Sequence, residues 1–148
     1  MIILKELSIE YIEEIKQLFV EVFTNEPWND DWSDPKQLHE YLIDLIDNRN
    51  SMTFGLYEDD YLIGLSMGSI LHFHNGTEYY IFEFCIKEEK QGKGIGTEFL
   101  KKIEDFIKEK QVSIIFLQTE RTVPAYGFYK KNGFVELNDH ISLYKDIH

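Results

Sequence analysis

Three glycines in the stretch QGKGIG, Gln91 to Gly96, stand between the apolar run IFEFCI and the helix-like run TEFLKKIEDFIKEK. A strand that hands over to a helix through such a loop points to a layered α/β arrangement. The helix it opens leaves its first N–H groups without intrahelical partners, and the macrodipole adds about half a positive charge there. Glycine at positions 92, 94 and 96 permits unusual backbone angles and lets an oxygen-rich group approach those amides with no β-carbon in the way. Lys93 adds a charge-assisted contact. Two readings stay open: a cradle for phosphate or pyrophosphate, and a plain turn. The Walker loop is excluded, because Gly-Ile-Gly-Thr stands where Gly-Lys-Ser/Thr is needed. The dinucleotide fingerprint is excluded too, since its loop follows the first strand of a βαβ unit.

The remaining chain reads as elements arranged around that loop. Met1 to Leu7 is a first strand. Ser8 can cap the helix that follows, whose apolar Ile12, Ile15, Leu18, Phe19 and Val22 recur at helical spacing and which ends near Thr24. Asp34 as N-cap, Pro35 in the first turn and the stripe Leu38, Leu42, Leu45, Ile46 mark a second helix. Met52 to Tyr57, Tyr61 to Phe73 and Glu78 to Ile86 form a meander, with Asn75-Gly76 a strong hairpin signal. After the glycine loop an amphipathic helix runs to about Lys110, and SIIFLQT is a buried strand parallel to its neighbour. A short helix over Pro124 to Lys131 and strands near Phe134 to Leu137 and His140 to Tyr144 complete one domain over residues 1–148.

Charge narrows the partners. Fifteen basic against 27 acidic residues give a net charge of -12, which disfavours nucleic acid, because phosphate contacts need clustered Lys and Arg. A cationic small molecule or a basic peptide is drawn in instead, although the same charge also serves solubility. No apolar run approaches the roughly 18 to 20 residues of a membrane span. The N-terminus lacks the basic start and cleavage site of a signal peptide, so the expected location is the cytoplasm. Cys85, the single cysteine, agrees with a reducing compartment.

The segment FCIKEEKQGKGIGTEFLKKIEDF resembles the central motif of the GNAT superfamily of acyl-CoA-dependent N-acetyltransferases, whose Gln/Arg-x-x-Gly-x-Gly/Ala pattern falls on Gln91, Gly94 and Gly96. AYGFYKKNGF resembles the second motif of that superfamily, at Ala125, Phe128, Tyr129, Lys131, Gly133 and Phe134. The resemblance implies a mixed, mostly antiparallel sheet of about seven strands splayed between strands 4 and 5, with about four helices. Acetyl-CoA then enters the wedge, its pyrophosphate on the amides of Gln91, Gly92, Lys93, Gly94, Ile95, Gly96 and Thr97. The pantetheine arm pairs with the backbone of Phe84, Cys85 and Ile86. Thr122 departs from the pattern, standing where many members carry an Asn that contacts the cofactor. Members are often dimers; no unpaired apolar stripe forces a homodimer here.

Amine acetylation needs a neutral amine, a polarised carbonyl and a protonated leaving thiolate. A backbone N–H near Cys85 or Ile86 is the expected oxyanion donor. Tyr129 is the expected general acid, since a phenol with a pKa of about 10 holds its proton at neutral pH; the competing reading is a core tyrosine beside Phe128 and Phe134. Glu83, in an otherwise apolar strand, is the first candidate base, although strand alternation leaves its facing open and a salt-bridged carboxylate is the alternative. Glu120 in QTER is the second. Cys85 reads as a small buried residue, for no activating His or Lys is identifiable. His72 and His74 lack ligand spacing, and no metal is expected.

The acceptor is expected to meet the segment EVFTNEPWNDDWSDP. Trp28 and Trp32 beside Glu26, Asp30, Asp31 and Asp34 offer aromatic surface and carboxylates to a cation, with Glu120 a further substrate contact; the alternative is tryptophans packed beneath the loop. EPWNDDW, EFCI and LQTER are similar to the aminoglycoside 6'-acetyltransferase-like branch. Three functions remain: acetylation of a small aminoglycoside-like or polyamine-like amine, acetylation of a peptide or protein amine, and non-catalytic acyl-CoA binding.

Overall fold

Two tight turns build the centre of the sheet in the computed structural model, which describes residues 1–148. Asp59 and Asp60, at φ 48° and 72°, supply the left-handed turn that joins β2 (Ser51–Glu58) to β3 (Tyr61–Phe73) without splaying the strands. His74 and Asn75 join β3 to β4 (Gly76–Ile86), so β4 starts two residues before the expected Glu78, with Gly76 opposite Phe73. Gly76 is required there: φ is +146°, and a β-carbon would lie 2.8 Å from Ser113 Oγ.

β1 (Ile2–Leu7) pairs antiparallel with β2, and β5 (Ile114–Leu117) joins β4 in parallel, giving the order β1-β2-β3-β4-β5. The parallel pairing demands a crossover, which α3 (Ile95–Lys108) provides. Two helices cover one face. α1 (Ile12–Phe23) and α2 (Pro35–Ile46) bury Ile15, Leu18, Phe19, Leu42 and Leu45 against Leu65, Met67 and Cys85 of the sheet. α3 covers the other, with Phe99 and Ile103 fully buried among Phe54, Leu56, Tyr79 and Ile81. Each such side chain stabilises the fold by about 1.5–3 kcal/mol.

The helix ends follow the sequence at two of three places. The Asp34 carboxylate accepts from the N–H groups of Lys36 (2.9 Å) and Gln37 (3.3 Å), and Thr24 closes α1 with its hydroxyl on Val20 O at 2.6 Å. Ser8 differs. A 3-10 turn over Ile9–Tyr11 precedes α1, and Ser8 accepts through its backbone carbonyl from Tyr11 N–H rather than through its side chain.

Residues 1–118 form one compact unit and Thr119–His148 a second. In the second, α4 (Pro124–Lys131) starts with proline at its first turn. It ends where Gly133, at φ +89°, lets Phe134 N–H reach Tyr129 O at 3.0 Å. Glu136 accepts from Tyr126 Oη at 2.8 Å and pairs with Arg121. The sheet therefore has five strands, not seven: residues 134–148 form no strand. Val135, Ile141 and Leu143 there are 83%, 77% and 86% exposed. No helix is long and apolar enough to cross a membrane.

Candidate active site

β4 and β5 run together only over Glu78–Ile81 and Ile114–Leu117. Beyond Ile81, β4 continues to Ile86 with no strand on that edge, so the sheet opens there. At the same point the β3–β4 register slips. Gly68 faces Ile81 and Met67 faces Glu83, leaving Phe82 as a bulged residue. The slip has a steric companion, because a β-carbon at Gly68 would lie 2.3 Å from Tyr80 O.

The bulge decides where Glu83 points. Tyr79 and Ile81 pack with Phe99 and Ile103 under α3; strict alternation would put residues 83 and 85 on that same face. With one residue inserted, Phe84 and Ile86 take the α3 face, and Cys85 packs with α1 and α2. Glu83 turns with Cys85, and the Tyr41 hydroxyl of α2 donates to its Oε2. Burial pushes the Glu83 carboxyl above the ordinary carboxylate range and Asp30 adds to the rise, while the Tyr41 hydrogen bond works against both. Tyr41 itself is held strongly protonated by burial and by its hydrogen bond to Glu83.

Tyr41 is clamped from behind. Its ring stacks on Trp32, with centroids 5.2 Å apart at 21°, and lies 6.1 Å from Phe19. Trp32 meets Phe19 edge-on at 5.3 Å, and Trp28 packs on Phe23 at 5.7 Å. Both tryptophans thus lie partly buried against the α1–α2 core. The indole N–H of Trp32 is buried with no acceptor. Cys85 is buried, its thiol pushed up by burial first and then by the charges of Glu83 and Glu21, which disfavours the thiolate.

At the far end of β4 the loop is pinned rather than loose. Gln91 donates through Nε2 to Ile86 O at 2.8 Å, and its own N–H is taken by Glu88 O at 3.1 Å. Gln91 therefore shapes the loop, with its backbone N–H already paired to Glu88 O. Lys93 Nζ bonds Glu89 O at 3.1 Å. Gly92 and Gly94 adopt φ +74° and +80°, and a β-carbon at either would meet nothing within 4 Å. Gly94 is the N-cap and caps nothing with a side chain. Glu98 is the first to bond back, to Gly94 O at 3.1 Å, so the N–H groups of Ile95, Gly96 and Thr97 precede the helical ladder. This bare helix start, flanked by left-handed glycines, fits an anionic diphosphate such as that of acetyl-CoA. Phe84 stacks on Phe99 at 5.2 Å, and a β-carbon at Gly64 would lie 3.0 Å from the Phe99 ring, which seats α3 against both β4 and β3.

Of the other expected site residues, Tyr129 and Glu120 belong to the second unit. Tyr129 is buried in α4, edge-on to Phe128 at 5.3 Å and to Phe134 at 5.2 Å. Glu120 is exposed ahead of that helix. A cavity between α1, the β2–β3 turn and the segment after β4 is lined by Glu14, Glu21, Glu58, Asp59, Lys87 and Lys90 among others, and by none of the expected site residues. No cluster of three or more His, Cys, Asp or Glu is placed to hold a metal. The sequence reading missed Tyr41. The signal was available, since Tyr41 falls three residues after Leu38 and beside Leu42 on the buried stripe of α2.

A strand that bulges to present a half-buried carboxylate where the sheet opens, followed by a bare helix start, is the arrangement expected of an acyl-CoA-dependent N-acetyltransferase fold. Known proteins agree. The model of the acetyltransferase (GNAT) family matches residues 12–134. The uncharacterized N-acetyltransferase YobR of Bacillus subtilis is 26% identical over 88 residues, covering 59% of this chain and 34% of that protein; the chain thus spans about a third of that curated relative. An aminoglycoside acetyltransferase from an uncultured soil metagenomic sample, solved with sisomicin, superposes with a TM-score of 0.76 at 17% identity, covering 99% of this chain and 97% of that one. Ribosomal-protein-alanine N-acetyltransferase from Brucella melitensis biovar Abortus 2308 does so at 0.75 and 16% identity, over 99% of both chains. The chain belongs to the acetyltransferase (GNAT) family.

Proposed function

We propose that the protein transfers the acetyl group of acetyl-CoA to a primary amine of a small cationic acceptor, aminoglycoside-like or polyamine-like, by direct attack in a ternary complex. The observation that carries this reading is the bulge at Phe82, which turns Glu83 away from the α3 core and toward Tyr41 at the opening of the sheet. Acetyl-CoA supplies a thioester whose C–S bond is exchanged for the C–N bond of the product. The chain does the rest. The N–H groups from Gly92 to Thr97 hold the diphosphate, and a backbone N–H near Cys85 or Ile86 receives the charge that develops on the carbonyl oxygen. Glu83 takes the proton that the amine nitrogen loses, directly or through water, and Tyr129 gives a proton to the departing sulfur. The burial of Cys85, which disfavours its thiolate, speaks against an acyl-enzyme and for direct attack.

The choice of a cationic acceptor rests on charge and aromatic surface: a net charge of -12, with Asp30 acting on Glu83 beside the Trp32–Tyr41 stack. The structural neighbour solved with sisomicin acts on aminoglycosides, which is consistent. A neighbour of nearly equal likeness is named for acetylating a ribosomal-protein alanine, so a peptide amine is the second reading, and the fold does not choose between them. Thiol release from acetyl-CoA with a panel of amines tests this. Release with aminoglycosides or polyamines supports the proposal; release with peptides alone replaces the acceptor; silence despite tight acetyl-CoA binding leaves a binding module. The chain is read as one catalytic domain, and a cytoplasmic location fits it.

A further inference from the structure

We propose that Tyr41 is a positioning residue for the reaction: its hydroxyl holds one oxygen of the Glu83 carboxylate, fixing the rotamer and leaving Oε1 to face the amine. The inference rests on the reading of Glu83 as base. Glu83 lies in an otherwise apolar stretch of β4 and is mostly buried, so the Tyr41 hydroxyl is the donor that makes its ionised form tolerable. The phenol cannot compete for the proton, because burial and the carboxylate keep its own proton in place. Its aim is set by the Trp32 ring stacked on one side and Phe19 beyond. The surroundings add no cation. Asp30, from the α1–α2 loop, raises Glu83; Met67 faces it from β3; Cys85 is its buried neighbour on β4; and Glu21 of α1 is paired with Lys87 at 2.9 Å. No net proton moves through Tyr41: the amine proton passes to Glu83 and then to water while the phenol keeps its own.

Two measurements on Tyr41→Phe, which keeps the stacked ring, test the inference. The carboxyl of Glu83 is titrated by NMR, and the acid limb of kcat/KM is followed with acetyl-CoA and an accepted amine. Loss of a hydrogen bond to the charged form raises the carboxyl midpoint, so both are expected to move up by about one pH unit, a tenfold effect along the limb. Above both midpoints kcat stays about tenfold below the parent, because the ionised carboxylate is no longer held in one rotamer. If the phenylalanine variant does not fold, fluorotyrosine placed at position 41 strengthens the donor and moves both midpoints down. An unmoved Glu83 titration overturns the inference whatever the kinetics. A moved titration with a stationary limb upholds the Tyr41–Glu83 coupling and overturns the assignment of Glu83 as base.

Discussion

The glycine loop and the bulge of Phe82 belong to one segment of chain, yet they build their parts of the proposed site by opposite means. At Gly92 and Gly94 the chain strips side chains away and presents bare amides to solvent. At Glu83 it does the reverse, inserting a residue so that a charged side chain is carried into an apolar layer and met there by one hydroxyl. A binding surface made of backbone tolerates most sequence change but not a β-carbon or a wrong charge. A reactive group made of one side chain depends on register, packing and a single hydrogen bond, so it fails in graded ways.

The contrast breaks hardest at the loop. Gly94→Glu places a β-carbon at φ +80° and a negative charge at the helix start, and acetyl-CoA affinity measured by calorimetry is expected to fall about a hundredfold or more. Retained affinity would detach the loop from nucleotide binding. Glu83→Gln is expected to lower turnover by about a hundredfold while leaving that affinity unchanged, the split that separates the two regions. Tyr129→Phe should cost less, about tenfold in turnover, because a coenzyme thiolate leaves with little help; an unaltered rate removes it from the mechanism. Cys85→Ala should keep turnover within about twofold and lose about 1 kcal/mol in denaturant unfolding. A large loss of rate there would revive a covalent route. The smallest effect is on stability. A carboxyl whose folded midpoint is raised binds its proton more tightly in the native state, so stability falls as pH rises from the ordinary carboxylate range through that higher midpoint. Glu83→Gln should therefore melt a few degrees above the parent at neutral pH, with the gap closing in acid.

The same contrast explains what could be read from residues alone. The meander, the three covering helices and the crossover were legible because period and turn chemistry are local properties: Asp59-Asp60, Asn75-Gly76 and Asp34-Pro35 announce themselves. So was the helix start, since Gly92 and Gly94 mark the left-handed turns that precede it. The facing of Glu83 was not, for a bulge changes the parity of every later residue and depends on a β3 glycine far along the chain. For Tyr41 the place on the α2 stripe was legible and the partner was not, because Glu83 lies 42 positions away. The two final strands expected near Phe134 to Leu137 and His140 to Tyr144 do not form, and Val135, Ile141 and Leu143 there are exposed.

The two-residue turns flanking β3 also bear on assembly. Because they bring β2, β3 and β4 together across short loops, the entropy of closure is small and that meander can zip early, carrying the Phe82 kink with it. The parallel ladder to β5 joins residues more than thirty positions apart and spans four pairs, so it forms late and grips weakly. Closing the sheet at its β5 edge accordingly carries a larger entropic cost than zipping the meander.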